Sequence, residues 1–332
     1  MVAAGSAKMS ANVNAQADAD AGAALTVCAS ARAVSPGATE TGLVGGADAV
    51  WLVVNGFLHS PKFDDLYELL LAAAARCDMN LRMVRTTDLP YNRERLAALR
   101  PDRVLFWDKD MVLARMLESV GARLFNQASA VEWCDDKALT ALALDAAGVP
   151  TPRTFVSPLA FAAPEEAHLG FASRAAAQLG YPLVVKEVHG SFGQQVMLVR
   201  SERQLLDAVA RLGSTRFIMQ EFIAESAGSD LRVAVVDGVV VGALLRESQN
   251  GDFRSNITAG GRGRSAEPTS DEAACALAAC AALGLSFGGV DILRSARGPL
   301  VCEVNSNPHF RSMLDACGVN MAESIVELVG RA

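Results

Sequence analysis

No CxxC pair occurs among the 7 cysteines of this chain, and no zinc site is visible. The odd count, and the apolar surroundings of Cys275, Cys280 and Cys302, suit buried thiols in a reducing cytoplasm. No apolar run reaches membrane-spanning length, which speaks against a membrane partner. Basic charge is outweighed: 30 Lys and Arg against 37 Asp and Glu leave a net charge of -7. That argues against nucleic acid or an anionic membrane surface as the main partner. GxGxxG and Walker A patterns are absent from the first strands, so a dinucleotide fold or P-loop has no local support. What is present is a globular composition, 51% hydrophobic and 20% charged over 332 residues. That length suffices for two or three domains.

Residues 1–47 are rich in Ala, Gly, Ser, Asn and Asp, too poor in large apolar side chains to offset the entropy of ordering. They are expected to form a disordered tail, and they lack the charged start and continuous apolar core of a signal peptide. Order begins at Ala49 with a buried-strand run. Helical spacing over Phe63–Cys77, a strand at Leu81–Val84, a helix at Arg93–Leu99 and a strand at Arg103–Phe106 follow. A helix over Lys109–Val120 and a short strand at Arg123–Phe125 complete an alternation that predicts a parallel sheet.

Asp135 and Asp136 precede a helix over Lys137–Ala147; Lys137 is either a solvated helix residue or a functional lysine. Strands at Pro182–Lys186 and Gln195–Val199 flank Gly190, Ser191 and Gly193. Such a tip can turn backbone N–H groups towards an anion, with Lys186 beside it, or be an ordinary flexible hairpin. Ser201 with Gln204 has the capping-box pattern for a helix to Leu212. Phe217–Phe222 is a strand. Asp237-Gly238 is a strong hairpin signal between Leu231–Val236 and Val239–Leu245. The polar stretch after it carries Arg246, Arg254, Arg262 and Arg264, a basic cluster that is a solvated loop or a carboxylate or phosphate binder. Helices at Ser270–Leu283 and Asn320–Val329 follow.

Gly288–Pro308 is expected to be two strands joined by a turn near Arg297. Period-two alternation puts Leu300, Cys302 and Val304 on one face, and Val301, Glu303 and Asn305 on the other. Asp291 then faces Glu303 roughly 5 Å away. Either one carboxylate is protonated or solvated, or a divalent cation sits between them with Asn305 as a third hard ligand. Mg²⁺ suits such an oxygen set.

In this order the motifs resemble the ATP-grasp superfamily, and within it the RimK-type carboxylate–amine ligases, which include a ligase adding glutamate to a ribosomal protein. Gly251-Asp-Phe-Arg-Ser-Asn256 with Gly260-Gly261, Gly289-Val-Asp-Ile-Leu-Arg294, Gly298-Pro-Leu and Glu303-Val-Asn305 carry the likeness. It covers about Ala49 to Gly330. The resemblance implies an ATP-grasp fold, mixed α/β and α+β: a pre-grasp α/β domain over 48–133, a central or lid subdomain over 134–225 and a C-terminal subdomain over 226–332. It implies that Lys137 and Lys186 meet nucleotide phosphates and that Gly190–Gly193 is a lid loop. Gln220, Glu221, Phe222 and Ile223 would border adenine and Asp230 hold ribose. Asp291, Glu303 and Asn305 would bind Mg²⁺ or Mn²⁺, and Arg246 offset charge developing in catalysis. Arg254, Ser255 and Asn256 would contact substrate. ATP-dependent joining of a small-molecule or peptide carboxylate to an amino-acid amine, through an acyl phosphate, is the implied reaction. A non-catalytic, synapsin-like ATP-binding module is the alternative, and homo-oligomer formation stays open. Many relatives continue with Ser-Pro-Gly where this chain has Ser306-Asn307-Pro308-His309-Phe310-Arg311, which leaves the acceptor unspecified.

Overall fold

The computed structural model describes residues 49–332, apart from 100, 164, 166, 167, 191, 192, 194 and 256–259. The expected tail, Ser191 and Asn256 lie outside the described residues.

The first layer is a four-stranded parallel sheet, as the alternation predicts. It contains β1 (Val50–Val54), β2 (Leu81–Arg85), β3 (Arg103–Trp107) and β4 (Arg123–Phe125), in the order β2-β1-β3-β4. Its connecting helices are α1 (Pro61–Arg76), α2 (Arg93–Ala98) and α3 (Met111–Ser119). α3 begins two residues later than its periodicity suggests, because the Asp110 side chain accepts from the Leu113 amide and so sets the cap.

Two helices follow where one was expected. α4 (Ala128–Asp135) has no side-chain cap, so no local signal marks it. α5 (Lys137–Ala146) is capped by Asp136, which accepts from the Ala138 and Leu139 amides.

The second sheet is antiparallel, with β5 (Thr154–Val156), β6 (Leu183–Glu187), β7 (Val196–Val199) and β8 (Phe217–Glu221) in the order β5-β8-β6-β7. Leu183, Val185, Val199, Phe217 and Met219 bury one face against α6 (Gly170–Leu179) and α7 (Glu202–Leu212). The α7 capping box is half made. Ser201 accepts from Gln204, but the Gln204 side chain accepts from the Arg200 amide rather than closing on Ser201.

The third sheet joins β9 (Ser229–Val236), β10 (Val239–Glu247), β11 (Arg262–Ser265), β12 (Phe287–Ser295) and β13 (Gly298–Asn305), in the antiparallel order β11-β10-β9-β12-β13. Asp237 and Gly238 both have positive φ, as the two central residues of the β9–β10 turn require. One face carries Leu231, Val233, Leu245, Val290, Ile292, Val301 and Val304 and packs on α8 (Ser270–Ala282). The opposite face is divided along the strands. At one end Ala234, Val236, Leu244 and Phe287 enter a core shared with β1, α1 and the last helices, α9 (Arg311–Cys317) and α10 (Met321–Arg331). At the other end the same face is charged.

Candidate active site

The charged half of that face forms the floor of a cleft. The antiparallel four-stranded sheet forms its roof. Strand alternation makes the roof: Leu183 and Val185 point into their own core, while Val184 and Lys186 line the cleft. Lys186 is buried and donates to Gln220 Oε1 at 2.7 Å and to Cys302 Sγ at 3.4 Å, so it spans from roof to floor. Lys137, from the start of α5, reaches the same space. Its ammonium donates to the Gly190 carbonyl at 3.0 Å and lies 3.8 Å from Glu303. Burial lowers its pKa, with Lys186 adding to the effect and Glu303 opposing it.

The floor is a ladder of alternating charge set by register. Arg246 pairs with Asp230 across β10 and β9, and Arg232 with Asp291 across β9 and β12. Arg246 grips Asp230 through two bonds of 2.6 and 2.7 Å and meets Asp291 at 2.8 Å. Arg232 grips Asp291 through two bonds of 2.7 Å. Ser255 also donates to Asp230. Burial pushes the Asp291 carboxyl up, but Arg232 and Arg246 outweigh it and hold it below the usual carboxylate range. Asp230, with burial and the nearby Asp291 against Arg246, lies above that range. The two carboxylates raise the already high Arg246 pKa against the opposing effect of burial, so Arg246 stays charged.

Asp291 faces Glu303 in register, as expected, but not for the expected reason: the turn is Ala296-Arg297, with Ser295 opposite Gly298, and would alone set Asp291 opposite Cys302. The simple alternation does not survive beyond it. Asp291 pairs with Glu303 and Ile292 with Val301, so Cys302 is an extra residue on β13. The bulge turns Val301 into the α8 core beside Val304 and brings Cys302 into the cleft next to Glu303. The expectation that Leu300, Cys302 and Val304 share one face is thereby corrected. Asn305 pairs with Gly289, lies outside the lining of the cleft, and leaves its Nδ2 buried with no hydrogen-bond partner among the described residues.

Gly190, Gly193, Gln220, Glu221, Phe222, Ile223, Asp230, Arg246, Arg254, Ser255, Asp291 and Glu303 all line the cleft with the two lysines. Besides Asp291 and Arg246, others are already occupied. The Glu221 carboxylate accepts from Arg153, at 2.8 Å from its amide and 2.9 Å from Nε, and also from Arg297. The Asp230 carboxylate is taken up by Arg246 and Ser255. Arg254 holds Asp252 in bidentate fashion and donates to the Gly193 carbonyl at 2.7 Å, so its guanidinium ties the glycine loop to the C-terminal segment. Sequence reasoning missed Arg232 and Cys302 as site residues. The first is placed by pairing with a strand over fifty residues away, the second by a bulge.

A family model for the RimK-like ATP-grasp domain matches residues 134–329. A probable alpha-L-glutamate ligase of Stenotrophomonas maltophilia is 39% identical over 219 residues, covering 65% of this chain and 72% of that protein. The chain belongs to the RimK-like ATP-grasp family. As a member it is a carboxylate–amine ligase by class, and hence an enzyme. Beta-citrylglutamate synthase B of Danio rerio is 34% identical over 226 residues, 67% of this chain and 54% of that protein. Among solved structures, a RimK-domain ATP-grasp protein from Sphaerobacter thermophilus superposes with a TM-score of 0.65 at 22% identity, covering 85% of this chain and 99% of that one. D-alanine–D-alanine ligase of Bacillus anthracis, complexed with ATP, gives 0.64 at 19% identity, covering 86% and 98%. These likenesses establish the ATP-grasp fold. No described helix is long and apolar enough to cross a membrane.

Proposed function

We propose that the protein is an ADP-forming ligase that joins an amino acid, with glutamate the leading candidate, to the carboxylate of a peptide, protein or small molecule. The observation that carries this is one cleft with Lys137 and Lys186 on the roof side and Glu303 and Asp291 on the floor. Two buried or half-buried ammonium groups converging on one space suit a polyphosphate. ATP, when bound, supplies a phosphoryl group that activates the carboxylate as an acyl phosphate.

The residues present fit the nucleotide and its cation. Val184, Val196, Phe222, Ile223 and Leu293 give the cleft an apolar end that suits an adenine ring. Among the described residues no cluster of three His, Cys, Asp or Glu side chains is able to hold a metal alone. Mg²⁺ or Mn²⁺ would therefore rest on Glu303 and Asp291 with Asn305, and take its other ligands from water and phosphate. Glu303 is the most available of the three: its one ion pair among the described residues is with Lys137, at 3.8 Å.

In this reading Lys137 and Lys186 fix the phosphates and Arg246 offsets charge at the reacting carboxyl. Asp230 serves mainly to aim Arg246, and Glu221 and Gly193 contribute backbone. Ser255, which lines the cleft, would contact the substrate. The six described cysteines are all free thiols, which suits a cytoplasmic enzyme. A non-catalytic binding module is disfavoured, because the relatives carry ligase and synthase names. The test is ADP release across the amino acids in the presence of a cell extract supplying carboxylates. Amino-acid-dependent release supports the ligase. Tight ATP binding with no release for any amino acid supports the module.

A further inference from the structure

The parallel sheet has a switch point of its own. β2 lies on one side of β1 and β3 on the other, so the chain parts at the carboxyl ends of β1 and β3, where α/β sheets commonly take ligands. Asn55 and Asp108 are the first residues beyond those two ends. Asp108 is 7% exposed. Its Oδ1 accepts from the Lys109 amide at 2.6 Å and the Asp110 amide at 2.9 Å, whereas its Oδ2 is buried with no hydrogen-bond partner among the described residues. Burial pushes the carboxyl up and Asp110 adds to this, against the Lys109 and Asp110 amides and the Asn55 side chain. Donors close by in the chain and the fold are spent elsewhere. The Lys109 ammonium goes to Asp135, the Tyr91 hydroxyl to Asp110 at 2.6 Å, and the Asn307 amide nitrogen to the Asp108 main-chain carbonyl at 3.1 Å. That last bond leaves Asn307 Oδ1 as a second buried acceptor without a partner among the described residues. Two such acceptors are costly to a fold unless something supplies the donors.

The crevice is also tied to the cleft. Asn126, just beyond β4, donates to the Ser306 carbonyl at 2.9 Å, and together with Asn307 it clamps the chain leaving β13 onto this end of the parallel sheet. Asn307 follows Glu303 so closely in the chain that their Cα atoms lie within roughly 14 Å of each other. Asn55, Asp110 and Asn307 are half-buried and form a partly open rim.

We infer that the crevice between the ends of β1 and β3 is a subsite for a cationic nitrogen, an ammonium or guanidinium, carried by the carboxylate substrate, with Asp108 and Asn307 accepting from it. This rests on the ligase reading above and adds a charge requirement on the molecule that is activated, not on the amine. The N–H groups give both oxygens the donors they lack, and the positive charge answers a carboxylate buried beside a second one, Asp110.

The probes are the ω-amino acids from 4-aminobutyrate to 8-aminooctanoate, each beside its N-acetyl form, which has no charge on nitrogen. On the full chain, binding is read by calorimetry with Mg-ADP, and ADP release with Mg-ATP and L-glutamate as the amine. At least one chain length is expected to bind tenfold or more tightly than its N-acetyl form. Asp108→Asn should remove that preference with ATP affinity unchanged and the thermal midpoint equal or higher, because it deletes an unanswered buried charge. Asn307→Ala should reduce the preference several-fold. No preference at any length, as a merely protonated Asp108 would give, or a preference that survives Asp108→Asn, overturns the subsite; glutamate-dependent ADP release with other carboxylates then leaves the ligase reading standing. A preference abolished by Asp108→Asn, without ADP release from any carboxylate, keeps the subsite and removes the ligase reading.

Discussion

Asp291 and Glu303 face each other across β12 and β13, yet only Asp291 is answered by arginines. Arg232 and Arg246 hold it at 2.7 and 2.8 Å, whereas the nearest cation to Glu303 is Lys137, 3.8 Å away. The two carboxylates therefore do different work. Asp291 organises the floor of the cleft, and in the proposed reading Glu303 is the freer of the two carboxylates towards the nucleotide's cation.

Glu303→Gln should accordingly spare the fold and damage turnover. Metal-dependent ADP release is expected to fall at least tenfold, about 1.4 kcal/mol of transition-state stabilisation. The thermal midpoint should move little. Unchanged release would remove Glu303 from the metal site.

Arg254 ties the Gly193 carbonyl while Lys137 ties Gly190. Amide exchange at Gly193 and Gln195 should be slowed by Mg-ATP and accelerated by Arg254→Ala, because the loop tip then loses one of its two anchors. Arg254→Lys should recover little, since an ammonium cannot hold Asp252 and Gly193 together in the planar fork geometry. Exchange that is indifferent to both nucleotide and substitution would rule out a lid held by Arg254.

Glu272 closes a capping box with Thr269 and pairs with Arg294 at 2.6 Å. Burial pushes its carboxyl up, but Arg294 and the Thr269 amide outweigh it, so it ends below the ordinary 4.5. A depressed folded-state value means stabilisation that is complete above 4.5 and lost as pH falls through the folded value. Glu272→Gln should cost about 1–2 kcal/mol near neutrality. The gap in urea midpoint between variant and wild type should close in acid. A gap independent of pH would refute the charged pairing.

Ile325, on α10, is fully buried in the core that β1 and α1 share with the third sheet. Ile325→Ala should cost about 2–5 kcal/mol in urea unfolding. The same change should loosen amide protection in β1 as well as in α10. Protection loss confined to α10 would mean the two parts are not joined by that core.

Sequence patterns revealed what is local. The β12–β13 hairpin followed from turn chemistry near Arg297, though its Asp291–Glu303 pairing is restored only by the Cys302 bulge, and the β9–β10 hairpin followed from Asp237-Gly238. The parallel sheet followed from alternating periods. Elements without a local signal were missed: α4 has no capping side chain, and β11, Arg-Gly-Arg-Ser, has no apolar residue to mark it. The Cys302 bulge was hidden because period-two counting has no place for an extra residue. The hold of Arg232 on Asp291 was hidden because β9 and β12 are separated by α8 and β10–β11. Arg254 was expected to be open to a substrate carboxylate; its partner Asp252, two residues earlier, was in plain view in the sequence.

The last helix has a consequence for how the molecule is made. The residues of β1 and α1 complete their core only against Ile325, Val326 and Val329. During synthesis, at about 5–20 residues per second, the first sheet waits roughly 10–50 seconds for them to be made. A sheet that leaves the ribosome early is thus sealed late, and its exposed strands are a natural client for a chaperone. A nascent chain stalled before Met321 should be protease-sensitive at α1, while the four-stranded antiparallel sheet, which carries its own core, is already protected.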